Sequence, residues 1–359
     1  MVALKKCVLV TGGGGFVGSS LAISFKNKYP DWKVISLDNL RRRGSELNLK
    51  RLAEVGIQFV HGDIRCREDL VFENEKIDLI LECSAEPSVL AGFNSSPEYV
   101  LQANLVGTLN CLEVARRHQA DFIFLSTSRV YPYERLNTLN IGENETRFIL
   151  SDSQNIAGAS GRGISEDFPL DGVRSLYGAT KLAAELIIQE YVAMYNLRAI
   201  INRCGVITGP WQMSRVDQGV FGLWMARHFL KRELAYIGFG GKGKQVRDFV
   251  NIFDLFELID IQMGQIEKLS GKIYNVGGGA ERSLSLLETT KLCQEITGNR
   301  INIKSVQENR PADVKLYITD YSRVIKDTGW APKRDATETL TDIYLWIKEN
   351  EKELKQVLI

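Results

Sequence analysis

A doubly wound parallel α/β sheet, followed by a smaller mixed α/β domain towards the C-terminus, is the fold class this sequence predicts. Three observations predict it. Short apolar runs alternate with helical stretches through the first two hundred or so residues. A glycine-rich turn follows the first run directly, at Gly12-Gly13-Gly14-Gly15-Phe16-Val17-Gly18. Polar residues recur where each apolar run ends, which is where ligands lie in such sheets.

Taken in order, Cys7 to Val10 reads as a buried strand and a helix starts near Gly15. Gly12, Gly15 and Gly18 keep a G-x-x-G-x-x-G spacing that suits a tight turn, a backbone approach to a pyrophosphate and close helix–strand packing. The helix N-terminus adds unpaired N–H groups and the positive end of a dipole. Lys33 to Asp38 is a second strand ending in a carboxylate 20 residues beyond Gly18. An acid there accepts both hydroxyls of an adenosine ribose and repels a 2′-phosphate, which favours NAD over NADP. Arg41, Arg42 and Arg43 follow; arginines there can bind a 2′-phosphate, but they are read as a solvated loop that touches at most a substrate or cofactor phosphate, and NAD stays the expected cofactor.

The third strand is Ile57–Val60, leading to His61-Gly62-Asp63-Ile64, and the fourth is Ile77–Leu81, leading to Glu82-Cys83-Ser84-Ala85-Glu86. A helix from Val100 to Arg117 carries Asn104, and a fifth strand, Phe122–Leu125, runs into Ser126-Thr127-Ser128. From Tyr131 to Arg174 the periodicity fails, and Asn, Ser, Gly and Asp crowd Asn140 to Arg162, so a long surface excursion is expected. Order resumes in a long helix from Ser175, then a sixth strand, Ala199–Ile201. Beyond it lie a helix over Gln218–Arg232, strands at Gln245–Val250 and Ile273–Val276, a helix over Ser285–Thr297 capped by Ser283 or Ser285, and a closing helix, Thr337–Lys355. The expected division is a dinucleotide-binding domain over 1–205, with 246–275 returning to it, and a substrate domain over 206–245 and 276–359.

At 359 residues with 44% hydrophobic and 25% charged content, the chain is an ordinary globular sequence with a large core. A net charge of +1 gives no electrostatic case for nucleic acid or an anionic membrane. No apolar run reaches the roughly 20 residues that span a bilayer, and no signal peptide is expected before the first strand. The six cysteines show no C-x-x-C spacing and the three histidines are dispersed. They predict reduced core thiols, a cytoplasmic setting and no metal site.

Tyr177 and Lys181 stand four apart on one helix face. An ammonium near a phenol lowers the phenol's proton affinity from its usual pKa of about 10 and makes it a usable base. Thr127, at the mouth of the fifth strand, supplies a hydroxyl to share the substrate's proton. With a dinucleotide loop, these residues suit removal of a proton from an alcohol whose carbon gives up hydride.

The glycine loop, Asp38, Asp63-Ile64, Asn104-x-x-Gly107-Thr108, Thr127 and Tyr177-x-x-x-Lys181 resemble the extended short-chain dehydrogenase/reductase superfamily, in its nucleotide-sugar epimerase and dehydratase branch. The resemblance covers nearly the whole chain and implies a Rossmann sheet holding NAD. The cofactor contacts it implies are Gly12, Gly14, Gly15, Phe16, Val17, Gly18, Asp38, Asn39, Asp63, Ile64, Ser84, Ala85, Asn104, Ser126, Tyr177, Lys181 and Arg203. For a nucleotide-sugar substrate it implies Glu86, Thr127, Gln218, Gln245, Arg247, Arg310 and Asp313, the arginines gripping the diphosphate. It also implies a homodimer or homotetramer.

Dehydratases of this branch carry Asp-Glu directly after the catalytic threonine, whereas Thr127 is followed by Ser128-Arg129. The 4-epimerases carry Asn two residues before a Tyr-Gly-Pro, whereas this chain reads Val206-Ile207-Thr208-Gly209-Pro210. Asn144-Glu145-Thr146-Arg147, Asp217-Gln218-Gly219, Gly243-Lys244-Gln245-Val246-Arg247-Asp248 and Ser283 to Glu288 are similar instead to the CDP-tyvelose type of 2-epimerase. That similarity implies inversion at C2 of a CDP-dideoxyhexose, as in lipopolysaccharide biosynthesis. Inversion at C4 of a UDP-sugar and a non-catalytic NAD-binding regulator or scaffold are the other readings. Glu82 and Glu86 replace the His and Gln more usual after the fourth strand, and Arg129 has no assigned role.

Overall fold

Seven strands build the main sheet. In chain order they are β1 (Cys7–Thr11), β2 (Lys33–Asp38), β3 (Gln58–His61), β4 (Leu79–Glu82), β5 (Asp121–Thr127), β6 (Ala199–Cys204) and β7 (Ile273–Val276), in a computed structural model that describes residues 5–214 and 218–358. Asp217, one of the residues behind the 2-epimerase resemblance, lies outside the described residues. The spatial order is β7-β6-β5-β4-β1-β2-β3, and the pairings β1–β2, β1–β4, β2–β3 and β4–β5 are parallel. The order reverses at β1, which makes the loops after β1 and β4 the place where a doubly wound sheet accepts a ligand. Every residue of β1, β4 and β5 is buried, which is why these strands read as continuous apolar runs rather than alternating ones.

The strands lie where the sequence predicts them, with shifted ends. The fourth begins at Leu79 and includes Glu82, and the sixth extends to Cys204, so both carry polar residues that the apolar pattern excluded. Three helices matter for the site: α1 (Phe16–Lys28), α2 (Gly107–His118) and α3 (Leu176–Tyr195). A short helix, Glu98–Leu101, and a π segment, Gln102–Val106, precede α2. The widened turn holds Asn104, which is completely buried.

By contacts the chain forms two compact units, residues 1–127, 176–203 and 256–273, and residues 128–175, 204–255 and 274–359. Against the expected division, residues 128–175, 204–205, 246–255 and 274–275 fall in the second unit rather than the first. The first of these is not the surface excursion that its composition suggests. It folds a helix, Tyr133–Asn137, and two short hairpins, Ile141–Glu143 with Phe148–Leu150 and Ala159–Ser160 with Gly163–Ile164. Leu150, Ile164 and Phe168 are buried in it, and Thr146 and Arg147 bind the Glu288 carboxylate. Sparse apolar residues hid this order, because side-chain hydrogen bonds supply much of it.

The second unit has its own sheet, centred on the strand Val246–Asn251. That strand pairs with Val206–Thr208 and Leu316–Tyr317 in parallel and with Ser283–Ser285 antiparallel. The helix Leu286–Thr297 starts from Ser285, not Ser283: a capping box links the Ser285 hydroxyl to the Glu288 N–H and the Glu288 carboxylate to the Ser285 N–H. The expected closing helix is two, Ala336–Glu349 and Glu351–Leu358.

Cys7, Cys111, Cys204 and Cys293 are buried free thiols as expected, whereas Cys66 is exposed and Cys83 half-buried. Among the described residues no cluster of His, Cys, Asp and Glu could hold a metal, and no helix is long and apolar enough to cross a membrane.

Candidate active site

The glycine turn after β1 is built by exclusion of side chains. Gly12 has φ +63°, and a Cβ there would stand 2.9 Å from the Cys83 carbonyl and the Ser84 Cα, so the loop after β4 passes directly over it. A Cβ on Gly18 would stand 2.2 Å from the Gly12 carbonyl oxygen, which fixes how closely α1 approaches the turn. Gly14 lies against Asp38, whose carboxylate accepts the Gly14 N–H at 3.0 Å and the Leu40 N–H at 2.7 Å. Burial pushes the Asp38 carboxyl up, and those backbone donors pull it back towards its ionised form. Gly15 caps α1, and Phe16 and Val17 open it, half-buried. A side-chain-free cradle at a helix N-terminus with a carboxylate at the next strand's end fits the pyrophosphate and adenosine ribose of a dinucleotide.

A pocket beside this cradle is lined by Asn39, Arg41, His61, Asp63, Arg65 and Asp69. Asp63 accepts hydrogen bonds from Asn39 at 2.8 Å and from Arg65 at 2.7 Å. Burial alone would raise its carboxyl, but the bonds from Arg65 and Asn39 outweigh it and hold the group at about 2. Arg41 is not merely solvated: its guanidinium lies 3.7 Å from the centre of the Tyr99 ring, and Arg65 lies 4.8 Å from the same ring. Tyr99 was invisible in the sequence, since no spacing marks it. Ile64 turns into the core, where its side chain occupies the space a Cβ on Gly107 would need.

Asn104 and Glu86 fasten the loop after β4. The Asn104 side chain accepts the Glu86 N–H at 2.7 Å and donates to the Glu86 carbonyl at 3.1 Å. The Glu86 carboxylate in turn accepts the Ser88 N–H at 3.2 Å. Both residues therefore shape the strand end on which Ser84 and Ala85 are presented, and each amide atom of Asn104 keeps a second hydrogen-bonding site. Arg203 is also anchored by a side-chain contact. It is buried and donates to Glu185 at 2.7 Å and 3.0 Å, while Ser126 donates to the same carboxylate at 2.5 Å. This triangle ties α3 to the ends of β5 and β6. Glu185 stands four residues beyond Lys181, so the helical spacing that singles out Tyr177 and Lys181 also points to it.

Tyr177 and Lys181 occupy the first two turns of α3, and Thr127 is the buried last residue of β5. Lys181 is 2% exposed, and its ammonium lies 4.1 Å from the centre of the Phe124 ring and 3.6 Å from the Glu82 carboxylate.

In the second unit Arg247 and Asp313 meet at 2.8 Å, and Arg247 also donates to the Val314 carbonyl at 2.8 Å. Burial pulls the Arg247 guanidinium down to about 10, against the opposing pull of Asp313. Asp313 donates its N–H to the Arg310 carbonyl, and the Arg129 guanidinium donates to Ala312 in the same turn. Asp313 thus orients Arg247. Gln245 donates to the Ile237 carbonyl at 2.6 Å, and among the described residues neither its buried carbonyl oxygen nor that of Gln218 meets a donor. Asp248 accepts the N–H groups of Gly278 and Gly279, and burial raises its carboxyl to about 6.

A family model described as the NAD dependent epimerase/dehydratase family matches residues 8–277. The chain belongs to that family. It is an NAD-dependent nucleotide-sugar epimerase/dehydratase by membership, with NAD as the cofactor the glycine cradle fits. CDP-paratose 2-epimerase of Salmonella typhi is 30% identical, over 94% of this chain and 98% of that protein. dTDP-D-glucose 4,6-dehydratase of Homo sapiens is 28% identical, over 98% of this chain and 93% of that protein. The crystal structure of UDP-glucose 4-epimerase from Thermotoga maritima, with UDP-glucose, superposes with a TM-score of 0.77 at 26% identity, covering 96% of this chain and 99% of that one.

Proposed function

We propose that the protein inverts C2 of a CDP-dideoxyhexose, converting CDP-paratose and CDP-tyvelose into one another by transient oxidation and re-reduction. The observation that carries the reading is the end-to-end similarity to CDP-paratose 2-epimerase. The sequence after Thr127 supports it from another side. Elimination of water needs an acid and a base at the sugar, and Ser128-Arg129 supplies neither carboxyl group.

NAD, when bound, accepts a hydride from the sugar carbon and returns it. The protein's own residues handle the rest. Tyr177 takes the hydroxyl proton as the ketone forms and gives it back as the alcohol is restored, so no net proton is consumed. Thr127 shares that proton through its hydroxyl and fixes the direction of transfer. Lys181 supplies the positive charge that favours the phenolate. Gly12 to Gly18, Asp38, Asn39, Asp63, Ser84 and Ala85 hold the cofactor in the first unit. Gln218, Gln245, Arg247 and Arg310 bind the nucleoside diphosphate in the second, with Asp313 holding Arg247 in place. Arg203, Ser126, Asn104 and Glu86 act by shaping the strand ends.

The test incubates purified protein with CDP-paratose, UDP-glucose, a GDP-sugar and a dTDP-sugar without added cofactor and follows the sugars by NMR. Inversion of the CDP-sugar at C2 is expected. Conversion of the UDP-sugar alone, at C4, would replace the substrate assignment, and no turnover of any sugar with NAD bound would favour the regulator reading.

A further inference from the structure

Glu82 departs from the residue its family resemblance leads one to expect, and the structure shows where that change is felt. It is the last residue of β4, the strand between β1 and β5, with Thr11 and Phe124 as its register partners. Its side chain is completely buried, and neither carboxylate oxygen meets a hydrogen-bond donor at bonding geometry among the described residues. The cation facing it is Lys181, at 3.6 Å and itself buried. Burial raises the Glu82 carboxyl, and the Lys181 charge first, then the Ser84 N–H and the Thr11 hydroxyl, draw it back down.

Stability alone does not account for such a pair. Removing two charges from water costs more than their attraction commonly returns, and apolar residues of equal volume often stabilise a fold as well or better. Phe124 lies under the ammonium, the buried Thr11 hydroxyl stands beside the carboxylate, and the Cys111 thiol is pushed up by burial first and then by the Glu82 charge. Lys181 stands one helical turn beyond Tyr177 on the same face of α3.

We propose that Glu82 is a positioning residue for the reaction, holding the Lys181 ammonium at a fixed place beside the sheet and thereby fixing the turn of α3 that presents Tyr177. The role rests on the epimerase reading, since it is the proton transfer at Tyr177 that the pair serves. Loss of the charge leaves Lys181 buried without a counter-ion. The ammonium then loses its fixed place, which removes the field at the phenol. Binding of the sugar nucleotide does not depend on that field.

Three forms of the NAD-loaded protein decide it, the wild type, Glu82→Gln and Glu82→Asp, with CDP-paratose as substrate. In Glu82→Gln, kcat falls about tenfold or more while KM stays within about twofold, and Glu82→Asp recovers most of the loss. Bound NAD, read from its absorbance after denaturation, stays at the wild-type level in all three. Wild-type kcat in Glu82→Gln, or a KM that rises with kcat unchanged, overturns the proposal. If the wild type turns over no sugar, the epimerase reading has failed instead, and thermal melts of Glu82→Gln, Lys181→Met and the double variant still test the pair. The double variant should melt above the sum expected from the singles, and strictly additive losses would overturn the coupling.

Discussion

In the proposed reaction, Tyr177 is the residue on which the chemistry turns. A phenol is a poor base at neutral pH unless a neighbouring positive charge stabilises its anion, and Lys181 lies one turn along the same helix. The account predicts that Tyr177→Phe keeps its fold and its NAD but loses about 10²–10⁴ in kcat, because the ring is retained and only the proton acceptor is removed. Turnover within about tenfold of wild type, measured at saturating sugar nucleotide, would exclude Tyr177 as the base. At this scale the sequence revealed residue types well and partnerships poorly. The spacing of Tyr177 and Lys181 and the acid at Asp38 were visible from local pattern. That Arg203 pairs with Glu185 and Arg247 with Asp313 was not, because each pair joins different elements that no local spacing connects.

The helix α3 is held by charges as much as by apolar packing. Along it Lys181 meets Glu82 of β4, and Glu185 meets Arg203 of β6 and Ser126 of β5. Both carboxylates are buried, so each removal leaves an uncompensated charge. Glu185→Ala should therefore lower unfolding stability by about 3–5 kcal/mol, and Glu185→Ala with Arg203→Met should recover part of that loss. Denaturant unfolding measures both, and a cost under about 1 kcal/mol for the single change would show that the triangle does not secure the helix. The strands and helices of the first unit were legible because buried parallel strands are apolar runs and α3 is long. Segment 128–175 was not legible, since hairpins of two or three residues have no periodicity to read.

At the scale of the molecule, the proposed function divides the labour between the two units. The first carries the glycine cradle, Asp38 and the Thr127, Tyr177 and Lys181 set, and the second carries Arg247, Asp313 and Gln245. The parallel, doubly wound character of the main sheet followed from strand–helix alternation, whereas its strand order and the reversal at β1 come from the structure. The substrate's identity is a finer matter, because relatives of similar identity act on different nucleotide sugars. What unites the account is a closed redox cycle in which the hydride taken from one carbon returns to that carbon. The most direct measurement uses CDP-paratose carrying deuterium at C2, incubated with the purified protein in ordinary water and followed by deuterium NMR. The account predicts CDP-tyvelose with the deuterium still at C2; inversion with the label lost to solvent, or no inversion at C2, would contradict it.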